Sequence, residues 1–141
     1  MKHLLAALIP LFCLAAVVAQ EQPPQTRFAA VDVVVDPKGQ PLAAWQIEFT
    51  AEPGQISLVG VEAGEHPAYA ARPPYYDPAA LAGRRIILGD FSLAKDLPSA
   101  PTRVARLMLE IRGPQQPQYV AKLIAAADPD AKPIPATVTI K

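Results

Sequence analysis

Apolar and polar residues alternate along most of the chain with a period of two, the period of a strand with one buried face and one wet face. The run FAAVDVVV, residues 28–35, sets Ala29, Val31, Val33 and Val35 on one face and Asp32 on the other. Asp36, Pro37, Lys38 and Gly39 then supply turn chemistry that stops the strand. In LAAWQIEF, residues 42–49, Ala43, Trp45, Ile47 and Phe49 face one way, and Ala44, Gln46 and Glu48 the other. Being in phase with Ile47 and Phe49 assigns Trp45 to the core rather than to a sugar-stacking platform. QISLVGVE, residues 55–62, is a third strand with Ile56, Leu58, Val59 and Val61 as its apolar content. RRIILGDFSL, residues 84–93, predicts a fourth, broken or bulged near Gly89.

The fifth run, TRVARLMLEIRG, is rich in helix formers. Strict alternation of Ala105, Leu107, Leu109 and Ile111 with Arg106, Met108, Glu110 and Arg112, ending at Gly113-Pro114, argues strand instead. QYVAKLIAAA and PATVTIK complete the set, separated by the turn ADPDAKP. About seven or more short strands divided by turn signals predict an all-β fold, an antiparallel β-sandwich. The 17 prolines fit, because proline sits poorly in helices and central strands but well in loops and at edges.

Residues 62–83, EAGEHPAYAARPPYYDPAALAG, break the alternation. At their end Asp77 can cap a helix start, Pro78 suits the first helical position and Gly83 can close it, which predicts one short helical turn near residues 78–82. Upstream, Pro67, Pro73 and Pro74 stiffen the backbone and lower the entropy lost on ordering it. A loop of this length packs on itself or binds something. Tyr69, Tyr75 and Tyr76 either shield the end of the core or form an exposed aromatic platform with Arg72 for a peptide or a sugar. His66, Tyr69, Arg72, Tyr75 and Tyr76 are therefore the candidate binding residues.

The first residues change the compartment. MKHLLAALIPLFCLAAVVAQ has a basic start at Lys2, an apolar run from Leu4 to Val18, and Val17 and Ala19 at the −3 and −1 positions of a cleavage site. That is a secretory signal peptide over residues 1–19, with an apolar run shorter than the roughly 20 residues of a membrane span. Phe12 immediately before Cys13 argues against lipidation of that cysteine, which leaves with the signal. Residues 20–27, QEQPPQTR, read as a flexible leader, and 28–141 as a single sandwich domain. The product is exported, periplasmic or extracellular, with no membrane attachment after processing. Lacking cysteine, it has no disulfide or thiolate chemistry and relies on its core.

Lys plus Arg and Asp plus Glu are each 13, and loss of Lys2 leaves the exported chain near −1. Arg84-Arg85, Arg103, Arg106 and Arg112 lie along strands and read as solvated faces, so no basic stripe invites nucleic acid. Catalysis finds little support: His66 stands without a recognisable nucleophile partner, and Ser57, Ser92 and Ser99 lack a nucleophile context. Asp128-Pro129-Asp130 resembles the start of a calcium loop but lacks its glycine and distant glutamate, and reads as a tight turn. No metal or cofactor is expected.

The order of these features resembles the cohesin-like β-sandwich modules, whose fold is shared with some carbohydrate-binding modules. The resemblance is carried by VDVVVD and LAAWQIEF, by LVGVEAGE, by IILGDFS and VARLMLEIRG, and by the late D-P-D loop at Asp128. It spans residues 28–141 and implies a jelly-roll type sandwich with a terminal hairpin. The functions it implies are binding a dockerin-like protein partner, building extracellular assemblies, or holding a polysaccharide. The Y-D-P-x-x-L element of the family stands later here, after His66, and no dockerin-contacting residue is carried over. The sequence thus points to an exported non-catalytic binding module for a protein or a polysaccharide. The alternatives are an assembly component that pairs by its strand edges and, third, an enzyme. N-terminal sequencing of the exported protein is expected to begin at Gln20; a chain starting at Met1 would contradict the signal-peptide reading.

Overall fold

The computed structural model describes residues 18–23, 25–52 and 54–141, so most of the expected signal segment lies outside the described residues. Seven strands form: β1 Thr26–Asp36, β2 Ala44–Glu52, β3 Gln55–Glu62, β4 Arg85–Phe91, β5 Thr102–Arg112, β6 Gln118–Ala127 and β7 Thr137–Ile140. One four-stranded sheet has the order β3-β5-β1-β7 and the other, three-stranded, β4-β2-β6. Every pairing is antiparallel, and the two sheets make the expected β-sandwich. Consecutive strands alternate between the sheets throughout. β6 and β7 therefore lie in opposite sheets, and the terminal hairpin implied by the resemblance does not form.

The inward rows are the ones that alternation selected. Val31, Val33 and Val35 of β1, Trp45, Ile47 and Phe49 of β2, and Leu107, Leu109 and Ile111 of β5 are all buried. Each large side chain sealed this way contributes about 1.5–3 kcal/mol. On the outer face Asp32 stands opposite Arg106, which donates from Nε to Oδ1 at 2.6 Å and from Nη2 to Oδ2 at 3.1 Å. These bonds hold the Asp32 carboxyl below its usual range. Arg85 pairs with Glu48 and Arg112 with Glu110, so these strand arginines are matched as well as solvated.

Three register shifts depart from strict alternation. The extra residues are Val104 of β5 against β1, Val59 of β3 against β5, and Ile124 of β6 against β2. A bulge turns its residue out of phase, and Val59 and Ile124, apolar but bulged, end up exposed at 44% each. No shift occurs at Gly89, where a bulge was expected: β4 pairs in register with β2 from Arg85 to Phe91. β1 begins at Thr26, so Thr26 and Arg27, assigned to the leader, belong to the sheet; Arg27 donates to the carbonyls of Gly113 and Gln115. The expected turn follows β1, and it places not only Gly39 (84°) but also Lys38 (56°) at positive φ.

Residues 63–84 connect β3 to β4 and are bonded to both sheets as they pass. The Glu65 N–H donates to Arg103 O, and the Arg103 N–H returns to the Glu65 carboxylate. Gly64 sits so close to β5 that a Cβ there would lie 2.8 Å from Arg103 O, which makes glycine a steric requirement. Farther on, Ala82 and Gly83 exchange hydrogen bonds with Leu58 on the free edge of β3. The helical turn appears as a 3-10 turn over Pro78–Ala80, capped by the Asp77 carboxylate accepting from the Ala79 N–H at 2.9 Å.

Candidate functional site

β4 is the edge strand of the three-stranded sheet, and Ile86, Leu88 and Asp90 point inward from it. Ile87, Gly89 and Phe91 consequently face out. The edge is closed at one point. The Tyr75 N–H donates to Gly89 O at 2.8 Å, and the Gly89 N–H donates to Tyr75 O at 3.0 Å. That bridge brings the Tyr75 ring beside Phe91, nearly parallel at 13° with centroids 6.4 Å apart. Both rings remain open to solvent, Tyr75 at 58% and Phe91 at 54%. A Cβ at Gly89 would press on Trp45 O at 3.3 Å and on the Gln46 side chain.

Arg72 holds the arrangement from the side. Its guanidinium carbon lies 4.1 Å from the Tyr75 ring centroid, within cation–π range. Its Nη2 donates to Asp90 Oδ1 at 2.8 Å and its Nη1 to Pro73 O at 3.1 Å. The Asp90 side chain is 4% exposed and also accepts from the Phe91 N–H, so it links the Arg72 side to the Phe91 side. A carboxylate in the inward row is costly without a counter-charge, and Arg72 reaching over the sheet edge supplies it. Gln46, Tyr75, Tyr76, Ile87, Gly89 and Phe91 bound a shallow groove of about 400 Å³ above this pair. Its surface is aromatic and apolar with a few fixed polar groups, the usual composition of a small-ligand or single-chain site.

The five candidate residues divide. Tyr75 and Tyr76 line the groove, and Arg72 supports it from outside the lining through the Tyr75 ring and Asp90. Tyr69 does not belong to a binding surface: it is 3% exposed, its ring packs edge-on against Trp45 at 6.3 Å, and its hydroxyl donates to Leu42 O at 2.7 Å. His66 lies in a separate depression with Pro67, Asp96 and Leu97. Its Nδ1 accepts from the Ala68 N–H at 3.1 Å, and its Nε2 faces the Asp96 carboxylate at 3.9 Å. These contacts make it a loop-closing residue, removed from the aromatic pair. Phe91, Asp90 and Gln46 were missed by sequence reasoning. A signal for Phe91 was present, because the β4 alternation turns this phenylalanine outward where a polar residue would cost nothing.

Other expectations resolve locally. Trp45 is in the core, with its indole Nε1 buried and without an acceptor among the described residues. Asp128 folds its own turn, accepting from the N–H groups of Asp130 and Lys132 at 2.9 Å each, so the Asp-Pro-Asp stretch is a tight turn. No protein-family model, curated protein or solved structure matches the chain. The functional argument is therefore carried by the geometry of the groove.

Burial, and secondarily the Asp90 carboxylate, pushes the Tyr69 phenol well above its ordinary value. The sign follows: a folded-state value above the unfolded one, about 10, means that raising pH past 10 ionises unfolded Tyr69 first and lowers stability. A Tyr69→Phe variant is expected to lose about 1 kcal/mol at neutral pH, from the missing hydrogen bond. It should also lack the highest-pH step in an absorbance titration of tyrosine. An unchanged titration would contradict the burial of that hydroxyl.

Proposed function

We propose that the chain is an exported, non-catalytic, cohesin-like module that binds a polysaccharide on the ledge formed by Tyr75 and Phe91. The carrying observation is two exposed, nearly parallel aromatic rings beside a groove whose one ion pair, Arg72 with Asp90, is internally neutralised. Aromatic faces pack against the C–H faces of sugar rings, and Gln46 in the lining offers hydrogen bonds to hydroxyls. A neutral groove gives an anionic or basic polymer no long-range attraction and suits an uncharged chain. Absence of catalysis is supported by His66, whose Nδ1 is occupied by a backbone N–H and whose Nε2 faces a carboxylate, leaving it no hydroxyl to activate. Export rests on the N-terminal pattern, and the cohesin-like assignment on the order of strand sequences.

Titration of the exported chain against neutral and acidic polysaccharides, and against exported proteins from the same source, tests the reading. Binding to a neutral polysaccharide is expected, with Tyr75→Ala and Phe91→Ala each weakening it about tenfold, or ~1.4 kcal/mol, at unchanged thermal stability. A protein partner in place of a polysaccharide, or binding indifferent to both substitutions, would overturn it.

A further inference from the structure

Arg85, Arg106 and Arg112 are paired with Glu48, Asp32 and Glu110. The Arg84 side chain makes no ion pair or hydrogen bond among the described residues, and all 13 acidic residues of the chain are among them. Its backbone is nevertheless fixed. Ala82 and Gly83 are bonded to Leu58 on the edge of β3, and the Arg84 carbonyl accepts from the Ala51 N–H of β2 at 2.9 Å. Arg84 thus stands at the start of β4, where the edges of the two sheets are tied together. Arg112 approaches from β5, in register with Gln55 at the start of β3. Arg84, Arg112, Gln55 and Ser57, with Ala82 and Gly83, line one cleft of about 540 Å³, and no acidic side chain belongs to its lining. Glu110, opposite Ser57, accepts from Arg112 Nε at 2.6 Å, and the two terminal nitrogens of that guanidinium have no bond among the described residues.

We propose that this cleft is an oxyanion site that holds one sulfate or phosphate group between Arg84 and Arg112. Two guanidinium groups at one cleft repel each other, and an anion between them turns that repulsion into two attractions. The planar fork of each guanidinium donates paired, charge-assisted hydrogen bonds to neighbouring oxygens of such a group. The Ser57 hydroxyl and the Gln55 amide are uncharged donors for the oxygens the forks leave over. A sulfate or phosphate occurs free or as an ester on a sugar, and the tetrahedral oxyanion is the part the cleft reads in either case. The cleft is separate from the aromatic ledge: from Arg85 to Phe91, at about 3.3 Å per residue, β4 extends about 20 Å. The site therefore stands whether or not the ledge holds a polysaccharide.

Heteronuclear NMR titration of the exported chain with sodium sulfate and with sodium phosphate, at an ionic strength held constant with chloride, tests the assignment. Saturable shifts are expected, confined to residues 54–57, 82–84 and 112. Arg84→Gln and Arg112→Gln should each weaken binding at least about tenfold. Arg85→Gln removes the same charge one position away, from a side chain already paired with Glu48, and should leave binding unchanged, as should Tyr75→Ala. The Arg84 and Arg112 side chains are exposed, so neither substitution removes a buried contact, and titration of the unaltered chain retains a readout if a variant fails to fold. Glucose 6-sulfate and glucose 6-phosphate separate the sources. Tighter binding of the esters than of the free ions assigns the cleft to a substituted sugar, and equal or weaker binding assigns it to the free ion; both support the oxyanion site. Shifts that do not saturate, that chloride reproduces or that spread equally over Arg27, Arg85 and Arg103 would mean an adventitious ion only. That result, or an affinity indifferent to both Arg84→Gln and Arg112→Gln, would overturn the proposal.

Discussion

The hydrogen bond from the Tyr69 hydroxyl to the Leu42 carbonyl is the contact on which the arrangement of residues 63–84 depends. This segment must leave β3 in one sheet and enter β4 in the other, crossing the open end of the sandwich. Tyr69 turns that crossing into a closure, because its ring fills the end of the core against Trp45 while its polar tip finds a backbone acceptor. The turn that delivers it is bonded twice more, from the Tyr69 N–H to His66 O and from the Gly64 N–H to Tyr69 O. Once Tyr69 is seated, the chain reaches Arg72 beside the inward Asp90 and Tyr75 beside Gly89. The exposed ledge follows from a buried tyrosine a few residues upstream.

Alternation of consecutive strands between the sheets has a general consequence. Every connection is a crossing, so loops run over the ends and sides of the sandwich and are available to cover its edges. β3 and β4 receive such cover from residues 82–83 and from Tyr75, and the two bridges use backbone groups that would otherwise invite another chain. β7 covers β1 from Val33 to Asp36. Almost all the pairings are distant in sequence, a topology whose folding is intrinsically slow.

Much of this was legible in the chain. Alternation located the strands and chose their inward rows, and Asp77-Pro78 marked the helical turn. The bulges at Val59, Val104 and Ile124 were not legible, since inserting one residue changes neither composition nor propensity, only phase. Gly89 was assigned to a bulge because glycine is unusual inside a strand, whereas it pairs in register and a Cβ there would press on Trp45 O of the neighbouring strand. Among the tyrosines, local context does not separate Tyr69 from Tyr75. What separates them is the Leu42 carbonyl and the Phe91 ring, both far away in sequence. The long segment could be singled out, but the division of its inner and outer halves required the fold.

The central claim is that residues 63–84 are part of the sandwich rather than a loop lying on it. Amide hydrogen exchange measures this directly. The N–H groups of Glu65, Tyr75, Ala82 and Gly89, each bonded across to another segment, should exchange with protection close to that of the β2 and β5 core amides. Fast exchange at Tyr75 and Gly89, at the rate of unbonded surface amides, would contradict the account, because the ledge would then have no fixed support.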